Sequence, residues 1–124
     1  MKKIINTKNA PGAIGPYSQG TECGNLIFVS GQLPIEMSTG ELVTEIKGAT
    51  KASLDNVKAI LEEAGSSMDK VLKTTVLLKD INDFVAVNEV YGTYFTKDCP
   101  ARACFQVGKL PKDALIEIEV IACK

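Results

Sequence analysis

Arg102 is the only arginine in this 124-residue chain, and it lies in an apolar stretch between Pro100 and Val107. A charged side chain among apolar neighbours needs an anionic partner, because an uncompensated buried charge costs several kcal/mol. A guanidinium group pairs with a carboxylate through two parallel hydrogen bonds, which a lysine cannot reproduce. Two interpretations follow: a structural ion pair with an acidic residue of the chain, or a site that binds the carboxylate of a ligand.

Two glutamates near the end of the chain are candidates for the other half of such a site. Residues 115–123 alternate as a strand does, and one face of that strand carries Leu115, Glu117, Glu119 and Ile121. If this strand pairs with the strand of Arg102, the two faces can lie together around a small cavity. Arg102 then either pairs with a glutamate, or it holds a substrate carboxylate while a glutamate orients a water molecule. A face that mixes acidic and apolar residues is also typical of a subunit interface with a wet pocket.

Five further residues are weaker candidates, each with a structural alternative. Tyr17 lies among turn-forming residues, where a tyrosine packs against the protein or contacts a ligand. Ser30 and Gly31 end an apolar strand, either as a simple turn or as a point of close backbone approach. Asn88 lies at the edge of an apolar helix face, where a polar residue is common and a buried amide needs partners. Cys104 shares the strand face of Arg102 and is either a small core residue or part of the pocket.

Composition excludes several classes of chemistry. The chain has no histidine, which removes the commonest metal ligand and general base, and its four cysteines show no C-x-x-C spacing. Any chemistry must therefore use carboxylates, hydroxyls, arginine, lysine, thiols or backbone groups. The net charge is −1 with no basic patch, so nucleic acid is not an expected partner. No segment is long and apolar enough for a signal peptide or a membrane span, which predicts a cytoplasmic protein.

The hydrophobic patterns predict an α+β fold in one domain over residues 1–124. The predicted elements are strands at 26–30, 71–78, 102–107 and 115–123, and helices at 46–64 and 81–95. This order favours a two-layer sandwich, in which a mixed β-sheet carries the two helices on one face. Residues 109–113 are predicted to join the last two strands as a hairpin-type connection.

Several motifs occur together, in order and at characteristic spacing, over nearly the whole chain. They are residues 9–11 (NAP), 14–20 (IGPYSQG), 29–34 (VSGQLP), 53–58 (SLDNVK), 71–76 (VLKTTV), 100–102 (PAR), 110–113 (LPKD) and 116–120 (IEIEV). With these motifs the chain resembles the Rid family of reactive intermediate deaminases, also called the YjgF family. The segment before Pro100 is shorter than in many members, and Cys99 in that segment is atypical.

The resemblance implies a chorismate-mutase-like fold, assembled as a homotrimer with a pocket at each subunit interface. It implies hydrolysis of 2-imino acids, such as 2-iminobutanoate and 2-iminopropanoate, to 2-keto acids and ammonia, without cofactor or metal. Arg102 matches the arginine that holds the substrate carboxylate, and Glu117 matches the acid that orients water. The matching pocket positions are Tyr17, Ser30, Gly31, Asn88 and Cys104.

Two other functions stay open at this point. The same pocket can belong to a regulatory module that binds a 2-keto acid without catalysis. Members of the family have also been described as endoribonucleases that inhibit translation, although a chain without histidine or a basic face offers little for RNA binding.

Overall fold

A six-stranded mixed sheet with two α-helices on one face forms the structure, a computed structural model that describes residues 1–124. The helices are α1 (Ile46–Glu63) and α2 (Phe84–Tyr94). The strands are β1 (Lys3–Ile5), β2 (Gly20–Cys23), β3 (Leu26–Gln32), β4 (Ile35–Glu36), β5 (Glu41–Leu42), β6 (Val71–Leu78), β7 (Ala101–Gln106) and β8 (Ile116–Cys123). The sheet order is β1-β2-β3-β8-β6-β7, and β4 and β5 form a separate ribbon. This arrangement confirms the predicted α+β two-layer sandwich.

Helix α1 covers the centre of the sheet. It begins where the Glu45 carboxylate accepts hydrogen bonds from the N–H groups of Lys47 (3.1 Å) and Gly48 (2.6 Å), which satisfies two donors of the first turn. It ends just before Gly65, whose φ of 78° stops the helix. Its buried residues contact β3 and β8, and the principal ones are Leu54, Val57, Ile60 and Leu61.

Strand β8 is the central strand, because it pairs antiparallel with β3 on one side and with β6 on the other. Its alternation separates the two sheet faces, as its sequence pattern predicts. The residues that face the helices are all buried, and they are Ile116, Ile118, Val120 and Ala122. The opposite face of β8 carries Glu117 and Glu119 and has no second layer over it within the chain.

The predicted pairing of the last two strands is wrong. Strand β7 pairs with β6 instead, in parallel, and lies at the sheet edge. The reason is that the β6-α2-β7 crossover places β7 parallel to and beside β6, while β3 and β6 already occupy both edges of β8. Residues 109–113 therefore form no hairpin. They connect β7 to β8 across the end of β6 and include a short 3₁₀ turn at Pro111–Asp113.

Candidate active site

Arg102 lies on the edge strand β7, exposed to solvent. Its Nη1 donates a hydrogen bond to Asn88 Oδ1 on α2 at 2.7 Å. It forms no ion pair, since the four salt bridges of the chain all use lysines. The interpretation of Arg102 as one half of a structural ion pair is therefore wrong for this chain, and most of its N–H donors are available to a ligand.

Two aromatic rings lie against the guanidinium group of Arg102. Its central carbon is 5.2 Å from the ring centre of Phe84 and 4.8 Å from that of Tyr91, within the range of a cation–π contact. Phe84, Asn88 and Tyr91 share one face of α2, because they are spaced i, i+4 and i+7. Neither aromatic residue was among the predicted site residues, although their spacing with Asn88 in the sequence indicates that all three share one helix face.

Cys104 lies two residues after Arg102 on the same sheet face and is half-buried. Burial raises the pKa of its thiol, and the nearby charge of Arg102 offsets this only in part. The thiol is therefore not activated as a nucleophile.

A cleft of about 740 Å³ opens elsewhere, at the end of β3 and the start of β8. The residues that line it include four of the predicted site positions, and these are Tyr17, Ser30, Gly31 and Glu117. Glu119 and Lys112 also line the cleft, so it contains both acidic and basic groups.

A bulge in β3 shapes the floor of this cleft. Val29 pairs with Val120 and Gln32 pairs with Ile118, so two residues of β3 oppose the single residue between those partners on β8. The two residues are Ser30 and Gly31. The Ser30 hydroxyl donates to the carbonyl of Ser18 at 2.6 Å, which ties the bulge to the loop that carries Tyr17.

Gly31 is required by the close approach of Glu117. A Cβ on residue 31 would lie 2.7 Å from Glu117 Cδ and 3.0 Å from its Cγ, and would overlap its Oε2. Only glycine leaves the carboxyl group this position against the backbone.

Burial raises the pKa of Glu117, and the adjacent charge of Glu119 raises it further. A carboxylate with a raised pKa is a stronger base than a free glutamate, and this suits a residue that takes a proton from water.

Gln19 fixes the outer wall of the cleft, and sequence reasoning missed this. Its Oε1 accepts from the Thr7 N–H at 2.7 Å, and its Nε2 donates to the carbonyls of Thr7 (3.0 Å), Ala10 (3.3 Å) and Pro11 (2.9 Å). The amide is almost fully buried, so this set of hydrogen bonds holds the loop before Tyr17 in one conformation. The Tyr17 hydroxyl accepts a long hydrogen bond from the Ile14 N–H at 3.4 Å.

The predicted site residues fall into two groups on opposite faces of the sheet. Arg102 pairs with Thr74, which pairs with Val120 on the face under the helices. Glu117 pairs with Leu77, which pairs with Phe105 on the other face. Paired residues share a face, so the chain does not bring Arg102 and Glu117 together. The expectation that their faces lie near each other fails because it required β7 and β8 to pair.

No group of three or more His, Cys, Asp or Glu side chains is placed to hold a metal ion. None of the helices has the length and hydrophobicity to cross a membrane.

The fold is a two-layer α+β sandwich, with a cleft lined by two glutamates at a strand bulge and a guanidinium group without an acidic partner at the sheet edge. Comparison with known proteins shows to which family a chain with this fold belongs. A family model described as Endoribonuclease L-PSP matches residues 7–124. The chain belongs to this family, the YjgF or Rid family, as its motifs predicted.

Relatives are similar over their full length. The chain is 50% identical to the 2-iminobutanoate/2-iminopropanoate deaminase of Escherichia coli K12, over 100% of this chain and 99% of the relative. The crystal structure of the E. coli YjgF gene product superposes with a TM-score of 0.95 at 50% identity, covering 98% of both chains. The structure of E. coli TdcF with bound serine gives a TM-score of 0.94 at 47% identity, again covering 98% of both chains.

Proposed function

We propose that this protein is an enzyme that hydrolyses reactive 2-imino acids, such as 2-iminobutanoate and 2-iminopropanoate, to 2-keto acids and ammonia. The observation that carries the proposal is the free guanidinium of Arg102, which has no acidic partner in the chain. The names of relatives about half identical to the chain support the same reaction, and one solved relative holds a small amino acid. Residues 1–124 act as one domain in this proposal.

The proposed site combines Arg102 of one copy of the chain with the cleft of another. Within one chain the two groups lie on opposite sheet faces, so only a second copy can bring Arg102 to Glu117. The sheet face opposite the helices supports such an assembly, because it exposes Leu26, Phe28 and Phe105. A contact between two different surfaces forms a ring when the rotation between copies closes, and the family resemblance implies a ring of three.

In the proposed mechanism Arg102 binds the substrate carboxylate through two charge-assisted hydrogen bonds. Asn88 positions the guanidinium group of Arg102, because its Oδ1 already accepts a hydrogen bond from Nη1. Tyr17, Ser30 and Gly31 form the wall and floor of the cleft, and Cys104 fills space beside Arg102 as a neutral thiol.

Glu117 orients a water molecule toward the imine carbon. As the water oxygen bonds to the carbon of the protonated imine, the Glu117 carboxylate takes one proton of that water and passes it to the nitrogen, which gives a tetrahedral intermediate with a hydroxyl and an –NH3+ group. The Glu117 carboxylate then takes the hydroxyl proton as the carbon–oxygen double bond forms, the carbon–nitrogen bond breaks and ammonia leaves; this last proton is released to solvent or to the ammonia. The acidic pair in the cleft also favours the protonated imine, which is the more electrophilic form. No cofactor or metal enters the proposed reaction.

A dehydratase-coupled assay tests this proposal by measuring 2-keto acid formation above the uncatalysed rate. Arg102→Lys keeps the charge and loses the two-point geometry, so kcat/KM should fall by roughly 10- to 100-fold. Glu117→Gln should lower kcat by about 100-fold or more while binding of 2-oxobutanoate persists. Glu119→Gln is the matched control and should cost less. An undiminished rate with Arg102→Lys would remove that residue from the mechanism.

Two alternatives have distinct signatures. A regulatory module would bind 2-oxobutanoate through Arg102 and add nothing to the uncatalysed hydrolysis. An endoribonuclease is favoured by the description of the matching family model. We expect no cleavage of labelled RNA, because the net charge is −1 and the chain has no histidine. Cleavage that is lost in Arg102→Lys and Glu117→Gln would instead place that activity in the same site.

A further inference from the structure

We propose that Tyr91 is a positioning residue for Arg102, acting together with Phe84: their rings hold the guanidinium group so that its N–H donors face a ligand carboxylate. This inference rests on the proposed function, in which Arg102 binds that carboxylate. It assigns to the aromatic face of α2 a role in substrate affinity beyond packing.

The contact geometry is the first support. The guanidinium carbon lies 4.8 Å from the ring centre of Tyr91 and 5.2 Å from that of Phe84, and Nη1 bonds to Asn88 at 2.7 Å. Three side chains of one helix face therefore contact one side chain of a neighbouring edge strand. These three contacts restrict where the guanidinium group can lie, although the Arg102 side chain is exposed.

The chemistry of these contacts is the second support. A cation–π contact stabilises the charge without using an N–H donor, whereas an acidic partner would compete with the ligand for those donors. An arginine free to rotate would lose conformational entropy when it binds a ligand, and a held arginine has already lost it. The rings thus restrict Arg102 and leave its hydrogen-bonding capacity to the substrate.

Tyr91 itself is fixed, which is the third support. Its hydroxyl forms a buried hydrogen bond with Thr74 Oγ1 at 2.7 Å, and its ring packs on Phe95 with centres 4.6 Å apart. Thr74 is the direct strand partner of Arg102. Thr74 of β6 therefore helps to fix both Arg102, through the strand pairing, and the ring that holds it, through its side-chain hydroxyl.

Affinity for 2-oxobutanoate, measured by titration calorimetry on the full-length protein, tests the inference. Tyr91→Leu should weaken binding by roughly 3- to 30-fold, the range of a lost cation–π contact. Tyr91→Phe keeps the ring and should weaken it less. The matched controls are Tyr94→Leu and Tyr94→Phe, because Tyr94 lies on the same helix and hydrogen-bonds Asp55 (2.5 Å) away from Arg102. These controls should leave the affinity unchanged.

A double-mutant cycle separates positioning from a general structural effect. In an Arg102→Lys background, Tyr91→Leu should cause much less loss of affinity than in the original chain. A structural effect would be equally large in both backgrounds and would overturn the inference. So would a loss in Tyr91→Leu no greater than that in Tyr94→Leu. If Tyr91→Leu does not fold, the partly exposed Phe84→Leu takes its place in the same cycle, with the same outcomes.

The binding results also distinguish a failure of the proposed function from a failure of the positioning role. If Arg102→Lys alone binds 2-oxobutanoate as the original chain does, Arg102 is not the carboxylate-binding residue and both proposals fail. If Arg102→Lys weakens binding while Tyr91 and Phe84 variants behave as the Tyr94 controls do, only the positioning role is refuted.

Discussion

Gly31→Ala is the most direct test of the geometry of the cleft, because it adds one methyl group beneath the Glu117 carboxylate. The new Cβ would lie 2.7 Å from Glu117 Cδ. Unstrained contacts between carbon atoms lie at about 3.5 Å or more, so the carboxyl group must move by roughly 1 Å. The backbone at residue 31 needs no change, since its conformation is open to alanine.

The magnitude follows from which atoms move. The clash falls on the end of a flexible, half-buried side chain, so a rotation of Glu117 relieves it at a cost of about 0.5–1.5 kcal/mol in folding stability. Catalysis is far more sensitive, since a displacement of about 1 Å in a reacting group can cost roughly 100-fold in rate. We therefore expect kcat/KM for imine hydrolysis to fall by about two orders of magnitude, with little change in unfolding free energy.

The assay is the dehydratase-coupled rate, paired with urea unfolding of the same samples. Gly12→Ala is the matched control, because Gly12 lines the same cleft and a Cβ there meets no atom within 4 Å. It should leave both measurements nearly unchanged. In a Glu117→Gln background, Gly31→Ala should add little further loss, because the residue that it displaces is already inactive.

Two results would refute this reasoning. An undiminished rate in Gly31→Ala would mean that catalysis does not require the carboxyl group of Glu117 to lie against the backbone of Gly31. An equal loss of rate in Gly12→Ala would mean that any added methyl group in the cleft excludes the substrate, irrespective of Glu117.

Two further predictions concern stability. The raised pKa of Glu117 means that its charged form is disfavoured in the folded protein. Its contribution is therefore neutral below its unfolded pKa of about 4.3 and becomes destabilising as pH rises through the folded value. In urea unfolding across this pH range, the unfolding free energy of Glu117→Gln should increase relative to that of the original chain as the pH rises. A difference that does not change with pH would contradict the raised pKa of Glu117. Gln19→Leu leaves the Thr7 N–H and three carbonyls without partners and should cost at least about 3 kcal/mol in unfolding free energy. Gln32→Leu is its control, because it breaks one hydrogen bond and should lower the unfolding free energy by less. Equal losses in the two variants would show that the additional hydrogen bonds of Gln19 do not contribute to stability.

Much of the fold was predictable from local sequence patterns. The helix at 46–64 and the strand at 71–78 match α1 and β6 closely, because periodic apolar residues and a terminating glycine define such elements locally. The second helix was also predicted, although its first turn, Ile81–Asp83, is a 3₁₀ helix. Strand pairing was not predictable, since the sequence of β8 fits β7 as well as it fits β3 and β6.

In the candidate site, too, some features were predictable from the sequence and others were not. The sequence pointed to Arg102, because a single arginine in an apolar stretch is unusual whatever the fold. It also placed Asn88 near the edge of its helix face, where the structure has it contacting Arg102. It gave no hint that Phe84 and Tyr91 lie against the guanidinium group, because that contact joins a helix to a strand that pairs elsewhere.

By itself, the amino-acid sequence determined the family, the alternation of each strand and the residue types available for chemistry, since these depend on composition and short-range order. Only the tertiary structure decided that Arg102 lies without an acidic partner on one sheet face while Glu117 lies over Gly31 on the other. The physical reason is that β6 lies between β7 and β8, and that the register of its two pairings sets the face on which each side chain lies. Long-range strand order fixes which charges meet, and no pattern of neighbouring residues encodes it.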